Sequence, residues 1–302
     1  MQQIRVGLEW FLNPDHVPFI LGIEAGWFAE QGLEVTLVEP SQHDDSASAL
    51  VAGSIELAIT EPIHLLEDTA RGLPLVGFQR FLHTNGGVMF LRGGPIARPS
   101  DLAGKRIQYP GAPSPLGAAI VRSLVRADGG PEGCAFESVD AGFAHTEALA
   151  RHAADAATLC FYNFEILEAR AQGLDADFFA LKDWGVPDFC QLILTAHLPY
   201  WEAQRPAIAR FTRVLQRGID TVLQEPERAH TAWTAYSQRL GRPPVSRAIF
   251  DATARAFVHD PDLSEHYWQA LGRWAVEQHV VPNLEKAAPD PAVIWQRLSL
   301  GP

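Results

Sequence analysis

The chain has 302 residues, 47% of them hydrophobic and 20% charged, with a formal net charge of −12. That length suits two lobes of about 100–150 residues each, and no apolar run reaches the ~18–20 residues that span a bilayer. The acidic balance, without any Lys/Arg-rich stretch, argues against nucleic acid or anionic membrane as a partner and against membrane insertion. Three widely spaced cysteines, Cys134, Cys160 and Cys190, argue against a disulfide framework or a thiolate metal site.

The first ninety residues alternate strand and helix. "IRVGLEW" is a β-prone run ending at Asn13-Pro14-Asp15, a helix-start signal. Val17, Ile20, Leu21 and Phe28 share one helical face, and Gly32 closes that helix. "LEVTLVEP" reads as a strand, "DDSASALVAG" as a helix and "SIELAIT" as a strand. "EPIHLLEDTARG" is a helix with Pro62 in its first turn, and "PLVGFQRFL" is a fourth strand. A second round starts near Lys105: strand "KRIQYPG", loop "APSP", helix "LGAAIVRSLVRADGG" and a weak strand around Phe136 to Val139. It continues with a helix over His145 to His152, strand "AATLCF", helix "FEILEARAQG" and strand "DADFFAL". "QLILTAH" is one more strand, and from Pro199 the pattern is helical to about His279.

This order predicts an α/β fold with two open, mostly parallel sheets, helices on both faces and a helical C-terminal segment. The helical tail reads as a return to the first lobe. Lobe one is then 1–90 plus 192–302 and lobe two 91–191, with crossings near Gly86–Gly94 and Val186–Gln191 and a hinged ligand cleft between them.

In open α/β sheets ligands bind beyond the carboxyl ends of the strands. Those ends supply Trp10, Asn13, His16, Thr60, Glu61, His64 and His83 from lobe one. Lobe two supplies Ser114, Tyr162, Asn163, Glu165, Trp184 and Asp188. Aromatics, amides, carboxylates and imidazoles together suit a flat nitrogen heterocycle that is stacked and hydrogen-bonded. Each residue also has a plainer reading: Trp10 as a packed edge aromatic, Asn13 or Asp15 as a helix cap, His64 as a solvated first-turn histidine, Glu165 as a favourable first-turn acid. The loop in "YPGAPSPLG" could offer N–H groups to an anion, but it matches no nucleotide motif and also reads as a plain proline turn. No nucleophile elbow, HExxH or repeated-aspartate metal loop occurs, and helix capping accounts for His43, Asp44 and Asp45 without a metal.

"LEWFLNPDHVPFILGIEAGWFAEQGLEVTLVEP" resembles the opening of the substrate-binding proteins of thiamine-pyrimidine salvage and of the fungal-type hydroxymethylpyrimidine phosphate synthases. "ALVAGSIELAITEPIHLLEDTARGLPLV", "DLAGKRIQYPG" and "FYNFEILEARAQG…WGVPDFCQLIL" extend the match over about residues 4–240. The resemblance implies a type II periplasmic-binding-protein fold closing on an aminopyrimidine or, in the synthases, on pyridoxal phosphate. It implies that Trp10 and Asn13 meet the ring, that Glu165 is a ligand-binding acid, and that His64 matches the histidine the synthases consume. Two departures count against synthase chemistry. Thr60 stands where the synthases carry their cofactor lysine, and of their cysteine-rich iron motif only Cys190 remains. The chain has three lysines, Lys105, Lys182 and Lys286, of which Lys182 alone ends a strand near the expected cleft.

The leading expectation is a binding protein for a pyrimidine-like molecule of the thiamine-precursor type, without catalytic residue or cofactor. The alternative is a pyrimidine-precursor synthase that uses His64, with pyridoxal phosphate and iron as its cofactors. "MQQIRVGLEW" runs straight into a strand, so the expected location is cytoplasmic, or periplasmic beside an ABC permease if a leader has been removed.

Overall fold

The computed structural model describes residues 1–40, 45–242, 245–281 and 291–296. His43, Asp44 and Lys286 lie outside the described residues. In chain order the elements are β1 (Gln2–Gly7), α1 (Val17–Glu24), α2 (Trp27–Glu30), β2 (Leu33–Val38), α3 (Asp45–Val51), β3 (Leu57–Thr60), α4 (Pro62–Ala70) and β4 (Leu75–His83). Then come β5 (Gly86–Leu91), β6 (Arg106–Gln108), α5 (Pro115–Ala127), β7 (Glu137–Val139), α6 (His145–Ala150), β8 (Ala156–Phe161), α7 (Glu165–Ala171) and β9 (Ala176–Ala180). The chain ends with β10 (Gln191–His197), α8 (Leu198–Gln224), α9 (Pro226–Arg239), α10 (Arg247–Ala254), α11 (Glu265–Glu277) and α12 (Pro291–Ile294).

Two compact units result. Unit one holds Met1–His83, Gln191–Gln269 and the described residues 291–296; unit two holds Thr84–Cys190 and residues 270–281. The sheet of unit one runs β2-β1-β3-β10-β4, with β1 parallel to β2 and β3, and β10 antiparallel to β3 and β4. Unit two repeats the plan as β7-β6-β8-β5-β9, where β5 is the one reversed strand. Each sheet is therefore mixed, parallel except for a single strand inserted second from one edge.

That reversed strand in unit two moves the boundary expected near residue 90. "GGVMFL" pairs with β8 and β9, so the chain leaves unit one after His83 and not within Gly86–Gly94. Its glycines hid it, since they lower strand propensity. Here they are required: a Cβ on Gly87 would lie 2.2 Å from the Phe179 carbonyl oxygen. The single helix expected from Val17 to Phe28 is instead two, α1 and α2, broken at Gly26 with φ +73°. The strand expected to reach Trp10 ends at Gly7, which leaves Trp10 in the following loop.

The core of unit one joins Ile4, Val6 and Ile59 from the sheet to Phe19 of α1 and Phe211 of α8. The edge of the Phe19 ring meets Phe81 at 5.3 Å, an arrangement aromatic rings favour. Gly218 of α8 lies so close to α1 that a Cβ would be 2.4 Å from the Pro18 carbonyl oxygen. This contact fixes α1, and with it the loop that precedes it.

Candidate functional site

In unit one the carboxyl ends of β1, β3 and β4 share one edge, because all three run antiparallel to β10 or parallel to each other. Trp10, Asn13, His16, Thr60, Glu61, His64 and His83 all gather there or in the turns that leave it. The loop after β1 is held from within. Asn13 caps a 3-10 helix, Pro14–His16: its Oδ1 accepts from the Asp15 N–H at 2.7 Å and its Nδ2 donates to the Phe11 carbonyl at 3.1 Å. His16 Nδ1 lies 3.2 Å from both the Asn13 N–H and the Asn13 carbonyl, and its Nε2 lies 3.1 Å from Glu9. Burial disfavours a charge on His16, yet the adjacent Glu9 carboxylate outweighs it and the imidazole pKa is raised. Asn13 and His16 are fully buried. Their polar atoms serve the loop, so both position Trp10 and Glu9. Outside the turn, Leu12 donates its N–H to Glu39 at 3.0 Å, and Arg242 pairs with the same carboxylate.

Trp10 is 9% exposed, tilted against Phe11 with ring centroids 4.2 Å apart, while Phe11 is 37% exposed. Glu61 occupies the N-cap position of α4 in extended backbone but makes no capping bond there. It is buried, with Oε2 lying 3.6 Å from His64 Nε2. The other ring nitrogen of His64 lies 2.9 Å from Glu67. Burial, then the proximity of Glu9 and Glu67, push the Glu61 carboxyl up to about 7 against the opposing pull of His64. His83 ends β4, its N–H donated to the Ala256 carbonyl at 2.9 Å.

In unit two the carboxyl ends of β6, β8 and β9 likewise share an edge. Leu159 in β8 has φ +53°, and the register with β5 shifts beside it, between Gly87 and Val88. This bulge turns the end of the strand, as bulges do. The Phe161 N–H then donates to Glu165 Oε2 at 2.8 Å, and Tyr162 donates its N–H to the Asn85 carbonyl at 3.0 Å. Glu165 is 2% exposed and Asn163 is buried beside it, whereas Tyr162 is 45% exposed. The Tyr162 ring has Phe178 at its edge and the Arg170 guanidinium 5.8 Å over its face. Trp184 follows the turn after β9, half-buried with Phe179 at 6.4 Å, and Asp188 is half-buried farther along.

Ser114 caps α5, its hydroxyl accepting from the Leu116 N–H at 3.2 Å. The Gly111 N–H in the same loop is already bonded to the Asp140 carboxylate at 3.2 Å, so an incoming anion would meet a resident one. Ser114 also lines an open concavity of about 460 Å³ with Pro113, Pro115, Arg122, Cys134 and Phe136. The plain-turn reading of this loop is the one its bonds support.

Four contributors escaped sequence reasoning. Glu9 and Glu67 were hidden as ordinary acids, although Glu67 sits one helical turn beyond His64, a spacing that puts them side by side. Gln108 and His145 are bonded to each other in the interior of unit two, with Gln108 Nε2 donating to the Gly142 carbonyl at 2.7 Å. Only the odd polar residue closing a buried strand could have signalled them.

A family model described as NMT1/THI5 like matches residues 13–229. The chain belongs to that family. Among curated relatives, the formylaminopyrimidine-binding protein of Halalkalibacterium halodurans is 29% identical over 76% of this chain and 69% of its own. The 4-amino-5-hydroxymethyl-2-methylpyrimidine phosphate synthase of Legionella pneumophila is 24% identical over 92% of this chain and 87% of its own. The fold matches the alkanesulfonate-binding protein SsuA from Xanthomonas axonopodis pv. citri with TM-score 0.75 at 18% identity, over 98% and 99% of the two chains. It also matches a Candida albicans protein with the generic periplasmic-binding-protein fold, TM-score 0.72 at 12% identity, over 100% and 98%. The α/β, periplasmic-binding-protein-like class read from the sequence therefore holds, as does the NMT1/THI5-like resemblance. No helix among the described residues is long and apolar enough to cross a membrane.

Proposed function

We propose that this NMT1/THI5-like chain binds a small, flat nitrogen heterocycle of the aminopyrimidine type, without transforming it. The observation that carries this reading is a repeated one. At the carboxyl edge of each sheet a buried acid, Glu61 or Glu165, accompanies an aromatic residue, Trp10 with Phe11 or Tyr162. Amino groups and ring nitrogens are what carboxyl groups in such a setting recognise, and the rings supply stacking faces. The name of the Halalkalibacterium halodurans relative supports the same ligand class.

Cofactor chemistry does not fit the residues present. Thr60, which ends β3, stands where the resemblance to the synthases would put their cofactor lysine, and a Schiff base needs that amine. Lys182 lies exposed in the 3-10 turn after β9, and Cys190 is buried and takes part in no disulfide. Among the described residues no group of three or more His, Cys, Asp or Glu could hold a metal ion.

The second reading, a pyrimidine-precursor synthase acting through His64, is favoured by that imidazole lying between Glu61 and Glu67 and by the Legionella pneumophila relative's name. Titration with 4-amino-5-hydroxymethyl-2-methylpyrimidine separates the two. Reversible binding by colourless protein supports the first; visible absorbance from tightly held pyridoxal phosphate, with His64 altered after turnover, supports the second. A permease partner is inferred only from solved neighbours such as the ligand-binding component of an ABC-type import system from Staphylococcus aureus.

A further inference from the structure

Glu61 is a buried acid of unit one whose bonding is incomplete. It is 7% exposed, and its Oε1 meets no hydrogen-bond partner among the described residues. Buried polar atoms are nearly always paired, so an orphaned carboxyl oxygen beside a strand end points to a missing donor or acceptor. The charged groups that face it can be named element by element. The segment after β1 brings Glu9, itself paired with His16, and α4 brings His64 and Glu67. At this end β10 brings Gln191, Leu192 and Ile193, and α3 brings no charged residue over 46–51. Glu9 thus takes His16 and Glu67 takes His64 at the shorter distance, 2.9 against 3.6 Å, which leaves Glu61 the surplus acid. Its carboxyl is pushed up to about 7, so near neutral pH it holds a proton part of the time.

We propose that Glu61 is the specificity-determining residue of the site, a carboxylic acid that delivers its proton to a basic ring nitrogen of the ligand while accepting a hydrogen bond from the adjacent amino group. This rests on the binding reading above and narrows it to heterocycles with an amidine-like edge. The exchange balances simply: the Glu61 O–H bond breaks, a ring N–H bond forms, and a carboxylate faces a protonated ring. Where Glu61 is already ionised, the same complex must draw one proton from solvent. Affinity therefore falls with rising pH once Glu61 is ionised in the free protein, whereas an ionised glutamate facing a ring that stays neutral would leave it flat.

The test is calorimetric titration of the full chain with 4-amino-5-hydroxymethyl-2-methylpyrimidine, in buffers of different ionisation enthalpy. At about pH 8 the unaltered chain should take up close to one proton, and above about pH 7.5 its affinity should fall about tenfold per pH unit. E61Q, whose amide can make both bonds but holds no titrating proton, should bind more weakly with a flat profile and no uptake. E67Q removes one of the charges that raise Glu61, so the fall should begin at lower pH. A flat profile without uptake in the unaltered chain overturns the proposal, as does E61Q retaining the original slope. Absence of any binding by the unaltered chain overturns the aminopyrimidine reading itself, which distinguishes the two failures.

Discussion

Replacing Glu61 by Gln makes the unliganded protein more stable at alkaline pH and not at acid pH. Folding raises the Glu61 carboxyl from 4.5 to about 7, chiefly by burial. The folded state therefore binds the proton more tightly than the unfolded one. The associated stability is fully present below pH 4.5 and is lost as pH rises through about 7. At 1.36 kcal/mol per unit, the interval corresponds to about 3 kcal/mol lost by pH 8. Gln carries no charge to desolvate, but its amide meets the same incomplete bonding, a pH-independent cost of about 1–3 kcal/mol. The difference in melting temperature, E61Q minus unaltered chain, should start at or below zero near pH 5 and rise by about 6–12 °C toward pH 8.5. Differential scanning calorimetry across that range reads it directly. The difference is the proper readout, since a chain with two compact units need not melt in two states. A difference that stays constant from pH 5 to 8.5 would refute the reasoning.

Trp10→Ala should weaken binding of 4-amino-5-hydroxymethyl-2-methylpyrimidine by at least the ~0.5–1.5 kcal/mol that stacking adds beyond burial, with circular dichroism unchanged; full affinity would make Trp10 a packing residue only. Glu165→Gln keeps an acceptor for the Phe161 N–H but loses the charge, so its cost should fall on ligand affinity, about 1–3 kcal/mol, with little change in melting temperature. Glu165→Leu should lower stability as well, because the Phe161 N–H loses its acceptor. Asn13→Ala removes the cap of the 3-10 helix and should cost about 0.5–2 kcal/mol of stability, measured by denaturant unfolding. If it abolishes ligand binding without destabilising the fold, Asn13 contacts the ligand and its assignment to positioning is wrong.

Most of the fold was legible because apolar periodicity reports directly which face of an element is buried. Strands such as "LEVTLV" and helices such as "PLGAAIVRSLVRA" declare themselves in that way. What escaped was set by tertiary contact. "GGVMFL" forms a central strand only because Phe178 and Phe179 leave no room for side chains at Gly87. The break at Gly26 depends on a left-handed backbone that a helical pattern masks. The strand-end rule named residues that the fold brings to one sheet edge in each unit, but it could not apportion roles among them. Asn13 and His16 turn inward because the loop needs their bonds, and Ser114 is spent on its own helix. Glu9 and Glu67 entered the site through pairings with His16 and His64, which depend on where β1 and α4 bring their ends. A sequence lists acids; only the fold shows which one is left over.

The measurement that bears most directly on the central claim is equilibrium binding of 4-amino-5-hydroxymethyl-2-methylpyrimidine to the purified full chain, followed by native mass spectrometry of the recovered complex. The account predicts one ligand per chain, released intact on dilution, with affinity reduced in both the Trp10→Ala and Glu165→Gln variants. No binding, or binding that neither substitution weakens, would contradict it.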